Sequence, residues 1–285
     1  MKTEDISVCM LVIEGTWSEV ETARAFNETG AKAEIVHLNQ LTRKDIPREY
    51  QRDLFDYQIL MFPGGFSAAD CVRAGAIWAA RCKKYIGEEI EEFIKNGYAV
   101  GGICNGFQVL CELGVLPGRG EIMHKIPKFA LAPNVSGKFE CRPSLLKNVN
   151  KGKCVFTQKY DKGQVLLIPS SHGEGRFTPP VGKEKQFVKE LEDNDQIVFK
   201  FVKPDGSLAN GQYPYSPNGS FEDITGICNS EGNVFGMMPH PERTARKYLH
   251  HDWTRGEDSK PKTLDSFGDG HGYFESVVEY IAKKF

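Results

Sequence analysis

Apolar residues come in short blocks separated by polar turns, and those blocks set the expected elements. Residues 6–13 are an apolar-rich run, the pattern of a strand buried on both faces. Gly15-Thr16-Trp17-Ser18 reads as the turn after it. Ser18-Glu19-Val20-Glu21 fits a capping box and predicts a helix to about Asn27, stopped by Gly30. Residues 33–38 predict a second strand. Residues 58–62 predict a third, running into Pro63-Gly64-Gly65-Phe66. Ile86, Ile90, Phe93 and Ile94 recur at helical spacing and predict an amphipathic helix over 86–96, followed by Gly97. A fourth strand is expected at 98–100 and a helix at 107–113. Strands alternating with helices predict an α/β fold with an open, largely parallel central sheet flanked by helices.

The second half changes character. Residues 138–142, 153–159, 165–168, 197–202, 224–228 and 234–238 read as strands separated by turns such as Pro204-Asp205-Gly206. They predict a β-rich antiparallel extension of the same sheet. Residues 246–271 are charged and turn-rich and read as a loop or insertion. Phe274, Val277, Val278 and Ile281 mark a closing amphipathic helix over 274–284. No linker, repeat or low-complexity run divides the chain, so one domain over residues 1–285 is expected.

Composition narrows the function classes. The formal charge is −2, so no basic excess points to nucleic acid or an anionic membrane. The N-terminus lacks the pattern of a signal peptide, and no apolar run approaches the roughly 20 residues of a membrane span. A cytoplasmic protein is expected. The 8 cysteines include no C-x-x-C pair and read as reduced thiols.

One cysteine stands apart. Gly102-Ile103-Cys104-Asn105-Gly106 lies between the fourth strand and the helix after it. Strand, tight turn and helix, with a nucleophile at the centre, is a nucleophile elbow. The flanking glycines relieve side-chain clashes, and the helix N-terminus favours thiolate. Such a nucleophile needs a base and an orienting partner. Pro239-His240-Pro241-Glu242 follows the apolar run 234–238, so His240 is expected at a strand end. An extended i, i+2 pair would direct Glu242 to the same side. The oxyanion of acyl transfer needs two donors. The Asn105 N–H is one candidate. The Gly65 N–H, on the glycine turn after the third strand, is the other.

Taken together these residues resemble the class I (triad) glutamine amidotransferases. Longer motifs narrow the resemblance to the glutaminase subunits of phosphoribosylformylglycinamidine synthases. They are Pro63-Gly64-Gly65-Phe66-Ser67, Arg73-Ala74-Gly75-Ala76, Gly102-Ile103-Cys104-Asn105-Gly106-Phe107-Gln108, Ser171-His172-Gly173-Glu174-Gly175, Pro217-Asn218-Gly219-Ser220 and Gly236-Met237-Met238-Pro239-His240-Pro241-Glu242-Arg243. The resemblance implies a flavodoxin-like fold. It implies Cys104 as nucleophile, His240 as base and Glu242 as orienter. It implies that Gln108 contacts bound glutamine and that residues 171–174 hold the amino-acid end, through backbone groups of Gly173 and Glu174. For His172, a structural role and direct substrate contact both remain open.

The resemblance also implies partners: a large synthetase subunit, where ATP and Mg would act, and a small bridging subunit. This chain has no P-loop or kinase-like motif, so no cofactor is expected on it. A Gly-Gly peptide flips easily, which suggests low activity alone and activation on docking through reorientation of the Gly64-Gly65 peptide.

Two departures stand out. Where many relatives carry Gly-Thr-Asn-Cys, this chain has Gly15-Thr16-Trp17-Ser18. It is also longer than compact relatives, the surplus lying in 180–215 and 246–271. His250-His251 and His271 lack a cysteine or carboxylate at ligand spacing, so no metal site is expected. The competing readings are a cysteine-elbow peptidase or deglycase, and a catalytically silent regulatory or scaffold subunit.

Overall fold

In the computed structural model, which describes residues 1–43, 46–255 and 264–285, the first half alternates as the apolar blocks require. Its elements are β1 (Ser7–Val12), α1 (Glu19–Asn27), β2 (Lys32–His37), α2 (Leu38–Thr42), β3 (Ile59–Phe62), α3 (Ala76–Lys95), β4 (Ala99–Ile103) and α4 (Asn105–Leu113). The second half supplies β5 (Ala130–Pro133), β6 (Glu140–Arg142), β7 (Leu145–Asn148), β8 (Val165–Leu167), β9 (Ser170–His172) and β10 (Glu174–Thr178). It continues with α5 (Glu184–Asp193), β11 (Ile197–Phe201), β12 (Ile224–Cys228), β13 (Val234–Met237) and α6 (His271–Lys284).

A nine-stranded sheet runs in the order β2-β1-β3-β4-β13-β12-β11-β7-β8. The β2-β1-β3-β4-β13 block is parallel. The β12-β11-β7-β8 strands continue it antiparallel. β13 therefore returns the second half of the chain to the parallel core, beside β4. Two small ribbons, β10-β5 and β6-β9, lie outside the main sheet.

The two faces of β4 pack differently because its residues alternate. A Cβ on Gly101 would stand 2.7 Å from the Tyr273 hydroxyl of α6. A Cβ on Gly102 would stand 2.6 Å from the Gly106 backbone of α4. On the α6 side, Phe156, Phe235 and Tyr273 form a fully buried aromatic layer with centroids 5.0–5.8 Å apart. On the α4 side, Phe107 presses on Gly236 so closely that a Cβ there would meet its ring at 2.1 Å.

Several expected elements differ. Residues 153–159 form turns rather than a strand: Asn150 Oδ1 accepts the N–H groups of Gly152 and Cys154, and Thr157 and Tyr160 close further turns. A side chain that takes backbone donors in this way competes with sheet pairing. The strand at 138–142 shortens to β6, in a side ribbon. Ser18 starts α1 without a side-chain cap bond. α3 begins ten residues before the expected start and breaks its helical geometry at Ile86 (φ −139°, ψ 21°). The expected loop at 246–271 includes 256–263, outside the described residues; its described part holds short turns and the first residue of α6.

Gly106→Ala tests the α4 crossing. Its Cβ would fall 1.8 Å from the Phe62 carbonyl oxygen. We expect a loss of about 3 kcal/mol or outright misfolding, since backbone cannot yield as a side chain can. Urea unfolding measures it.

Candidate active site

Three adjacent parallel strands end at the same sheet edge, and each delivers one part of the site. β4 delivers Cys104, β3 delivers Gly64-Gly65, and β13 delivers His240 and Glu242. The Cys104 N–H donates to Met237 O at 2.8 Å, binding the elbow to β13. Cys104 has φ 53° and ψ −109°, a strained conformation for a residue with a side chain. It is 6% exposed, and its thiol donates to Ser171 O at 3.6 Å.

His240 is extended (φ −105°, ψ 91°), and its N–H donates to Pro169 O. Pro241 opens a short turn that brings Glu242 back on the same side. His240 Nδ1 lies 2.5 Å from Glu242 Oε1, and both side chains are buried. That bond leaves Nε2 buried, with no hydrogen-bond partner among the described residues. Burial opposes a charge on His240. The Glu242 carboxylate and the Cys104 sulfur outweigh it and push the imidazole up to about 10. His240 and Cys104 meet across Gly64, where a Cβ would be 2.8 Å from His240 Cε1 and 3.4 Å from Cys104 Cβ.

The Gly64 carbonyl accepts from Trp17 and Ser18 N–H groups at 3.0 and 3.1 Å. In a trans peptide the Gly65 N–H then points the opposite way. The peptide is thus held, against the free flipping expected of a Gly-Gly pair. The Ser18 hydroxyl turns toward Gly64, which explains why it caps no helix. The Asn105 N–H opens α4, where no intrahelical acceptor exists.

The remaining expected site residues form a second cluster. Gln108 Nε2 donates to Glu174 O at 2.7 Å, and its Oε1 accepts from Asn105 Nδ2 at 2.9 Å. The Gly173 carbonyl accepts from Asn134 N, and Glu174 Oε2 from Ala74 N. His172 is buried, its Nε2 facing the Asn218 amide at 3.1 Å. Burial, and then the charge of His240, push it down to about 3. Its ring is neutral.

Asp70 also belongs here, and no motif pointed to it. Asn105 Nδ2 reaches Asp70 Oδ1 at 3.5 Å. Burial and the nearby Glu174 push its carboxyl up to about 6. Arg73 forms a two-bond pair with Glu112, and Arg243 pairs with Glu21 at 3.4 Å. One expectation is corrected: Asp252 is a carboxylate within reach of His250 and His251. The three can bring ligand atoms within 4.8 Å of one another. A direct His250–Asp252 hydrogen bond accounts for that grouping without an ion. His271 stands apart, stacked on Phe267.

With the geometry described, comparison with known proteins decides the family. A model of the CobB/CobQ-like glutamine amidotransferase domain matches residues 5–281. A phosphoribosylformylglycinamidine synthase subunit PurQ from Archaeoglobus fulgidus is 48% identical over 285 residues, covering 99% of this chain and 100% of that protein. The chain belongs to the PurQ-type glutamine amidotransferases. The PurQ of Methanococcus maripaludis is 42% identical over 276 residues, with 93% of each chain covered. A chain of the PurLQS structure from Thermotoga maritima is 30% identical with a TM-score of 0.68, covering 97% of this chain and 99% of its own.

The His240 shift makes a prediction about pH. Its folded-state pKa is raised above the unfolded value, so its stabilisation is full below about 6.5 and is lost as pH rises toward 10. We expect wild-type stability to fall across that window. Glu242→Gln, which removes the charge that holds the proton, should flatten the fall. Urea denaturation at both ends of the window measures the difference.

Proposed function

We propose that this chain is the glutaminase subunit of a phosphoribosylformylglycinamidine synthase, working in purine biosynthesis in the cytoplasm. The observation that carries the chemistry is the buried 2.5 Å His240–Glu242 contact beside a strained elbow cysteine. Glu242 fixes one imidazole nitrogen and leaves the other for the thiol and the leaving group.

The reaction runs in two acyl transfers. With the thiol proton already resting on His240, Cys104 Sγ attacks the side-chain amide carbon of glutamine as a thiolate. The N–H groups of Asn105 and Gly65 receive the oxyanion. As the C–N bond breaks, His240 gives its proton to the leaving nitrogen and ammonia departs. Water then loses a proton to His240 and attacks the thioester. The C–S bond breaks, sulfur leaves as the thiolate beside the reprotonated His240, and glutamate leaves. Gln108 and the backbone of Gly173 and Glu174 bind the amino-acid end of the substrate. His172, neutral and tied to Asn218, supports that loop.

Ammonia passes to a large synthetase subunit that uses ATP and Mg to make formylglycinamidine ribonucleotide, with a small bridging subunit completing the complex. No helix among the described residues is long and apolar enough to cross a membrane.

Glutamate release with and without the synthetase and bridging subunits tests this reading. We expect turnover that is low alone and rises on their addition. Cys104→Ala should abolish it under both conditions. Activity persisting in that variant would overturn the mechanism, and equal wild-type turnover in both conditions would overturn the coupling.

A further inference from the structure

The Asn105 side chain is fully buried and spent entirely on partners from other parts of the site. Its Oδ1 accepts the Ser67 N–H at 3.1 Å. Its Nδ2 donates to Gln108 Oε1 at 2.9 Å and reaches Asp70 Oδ1 at 3.5 Å. Gln108 passes the connection on to Glu174 O. One chain of hydrogen bonds therefore joins the loop after β3, the elbow helix and the start of β10.

We propose that the Asn105 side chain is a positioning residue that keeps the two oxyanion donors in one frame. This rests on the glutaminase reading. One donor is the backbone N–H of Asn105 itself. The other, Gly65, sits two residues before Ser67. The other bonds that hold residues 64–68 tie them elsewhere: Gly64 O to Trp17 and Ser18, Phe66 N to Gly15 O, and Ala68 N to Glu14 O. All of these register the loop against the turn after β1. Only the contacts of Asn105, among the bonds described, register it against the residue next to the nucleophile.

The loop needs such a tie. Ala68, Ala69 and Asp70 have φ of 50°, 56° and 52°. Consecutive left-handed residues with side chains cost about 1–3 kcal/mol each and persist only where the surroundings over-determine them. Without Asn105, residues 64–68 keep their register to the β1 turn, and the loop's tie to α4 is left to the Arg73–Glu112 pair at its far end. An oxyanion donor is worth most when it is fixed before the charge develops.

The test uses the full chain with its synthetase and bridging subunits. Asn105→Ala should lower kcat for glutamine hydrolysis on the order of 100-fold, the usual consequence of losing one oxyanion donor. KM for glutamine should move little. Alkylation of Cys104 by iodoacetamide develops no oxyanion and should stay near the wild-type rate. Unchanged kcat in Asn105→Ala overturns the proposal. So does an equal fall of kcat and alkylation, which would mean a general loss of structure. Wild-type turnover is measured alongside. Its absence overturns the glutaminase reading, whereas normal wild-type turnover confines any failure to Asn105.

Discussion

The site depends on how closely α4 crosses β3 and β4. Gly102 and Gly106 meet backbone to backbone, and Gly106 lies against the Phe62 carbonyl. That approach leaves no room for a gentle turn, so Cys104 takes a positive φ and stands at the helix N-terminus. The strain costs about 1–3 kcal/mol. It is offset by the apolar face that α4 buries, including Phe107, Val109 and Leu110, each contributing about 1.5–3 kcal/mol. The same crossing opens the helix at Asn105, whose N–H is one of the two proposed oxyanion donors, and places Gln108 one turn on, where it bonds Glu174 at the start of β10. Geometry that looks local to five residues is thus imposed by the packing of a helix on two strands.

Electrostatics then sorts two buried histidines that share this space. Burial alone disfavours charge on both. His240 has a carboxylate 2.5 Å away and is pushed up; His172 has only an amide partner and a charged neighbour, and is pushed down. The outcome is a single proton carrier in a site too dry to solvate two cations. Environments that push paired groups apart in this way assign the acid–base role. Here they favour His240 for the proposed role.

Much of this was legible in the sequence because it is local. The elbow glycines, the extended His240-Pro241-Glu242 spacing and the parallel alternation each report their own neighbourhood. What failed depends on distant partners. Ser18 fits a capping box, but its hydroxyl turns toward Gly64. Residues 153–159 look strand-like, yet Asn150 takes their donors. The start of α3 was hidden because Arg81, Lys83 and Lys84 interrupt the apolar spacing, although Trp78, Ala79 and Cys82 are buried. Asp70 and the Asn105 side chain act through bonds that span more than thirty residues, and no pattern along the chain marks them.

The glycine turn that carries the second proposed donor is neither free nor rigid. Two N–H groups hold the Gly64 carbonyl, so turning that peptide costs about 1–3 kcal/mol. A tenfold change in an equilibrium needs about 1.4 kcal/mol, so this restraint separates two arrangements by roughly one or two decades in population. A partner interface supplies that much readily. The loop also offers a handle on its outer side, where Phe66 and Val72 are 46% and 84% exposed. Contact there acts on a segment already strained at Ala68, Ala69 and Asp70, and Asn105 transmits any shift to the elbow. Coupling between docking and the oxyanion hole therefore needs no motion of the sheet. It needs only that the partner favour one setting of a loop whose alternatives are close in energy.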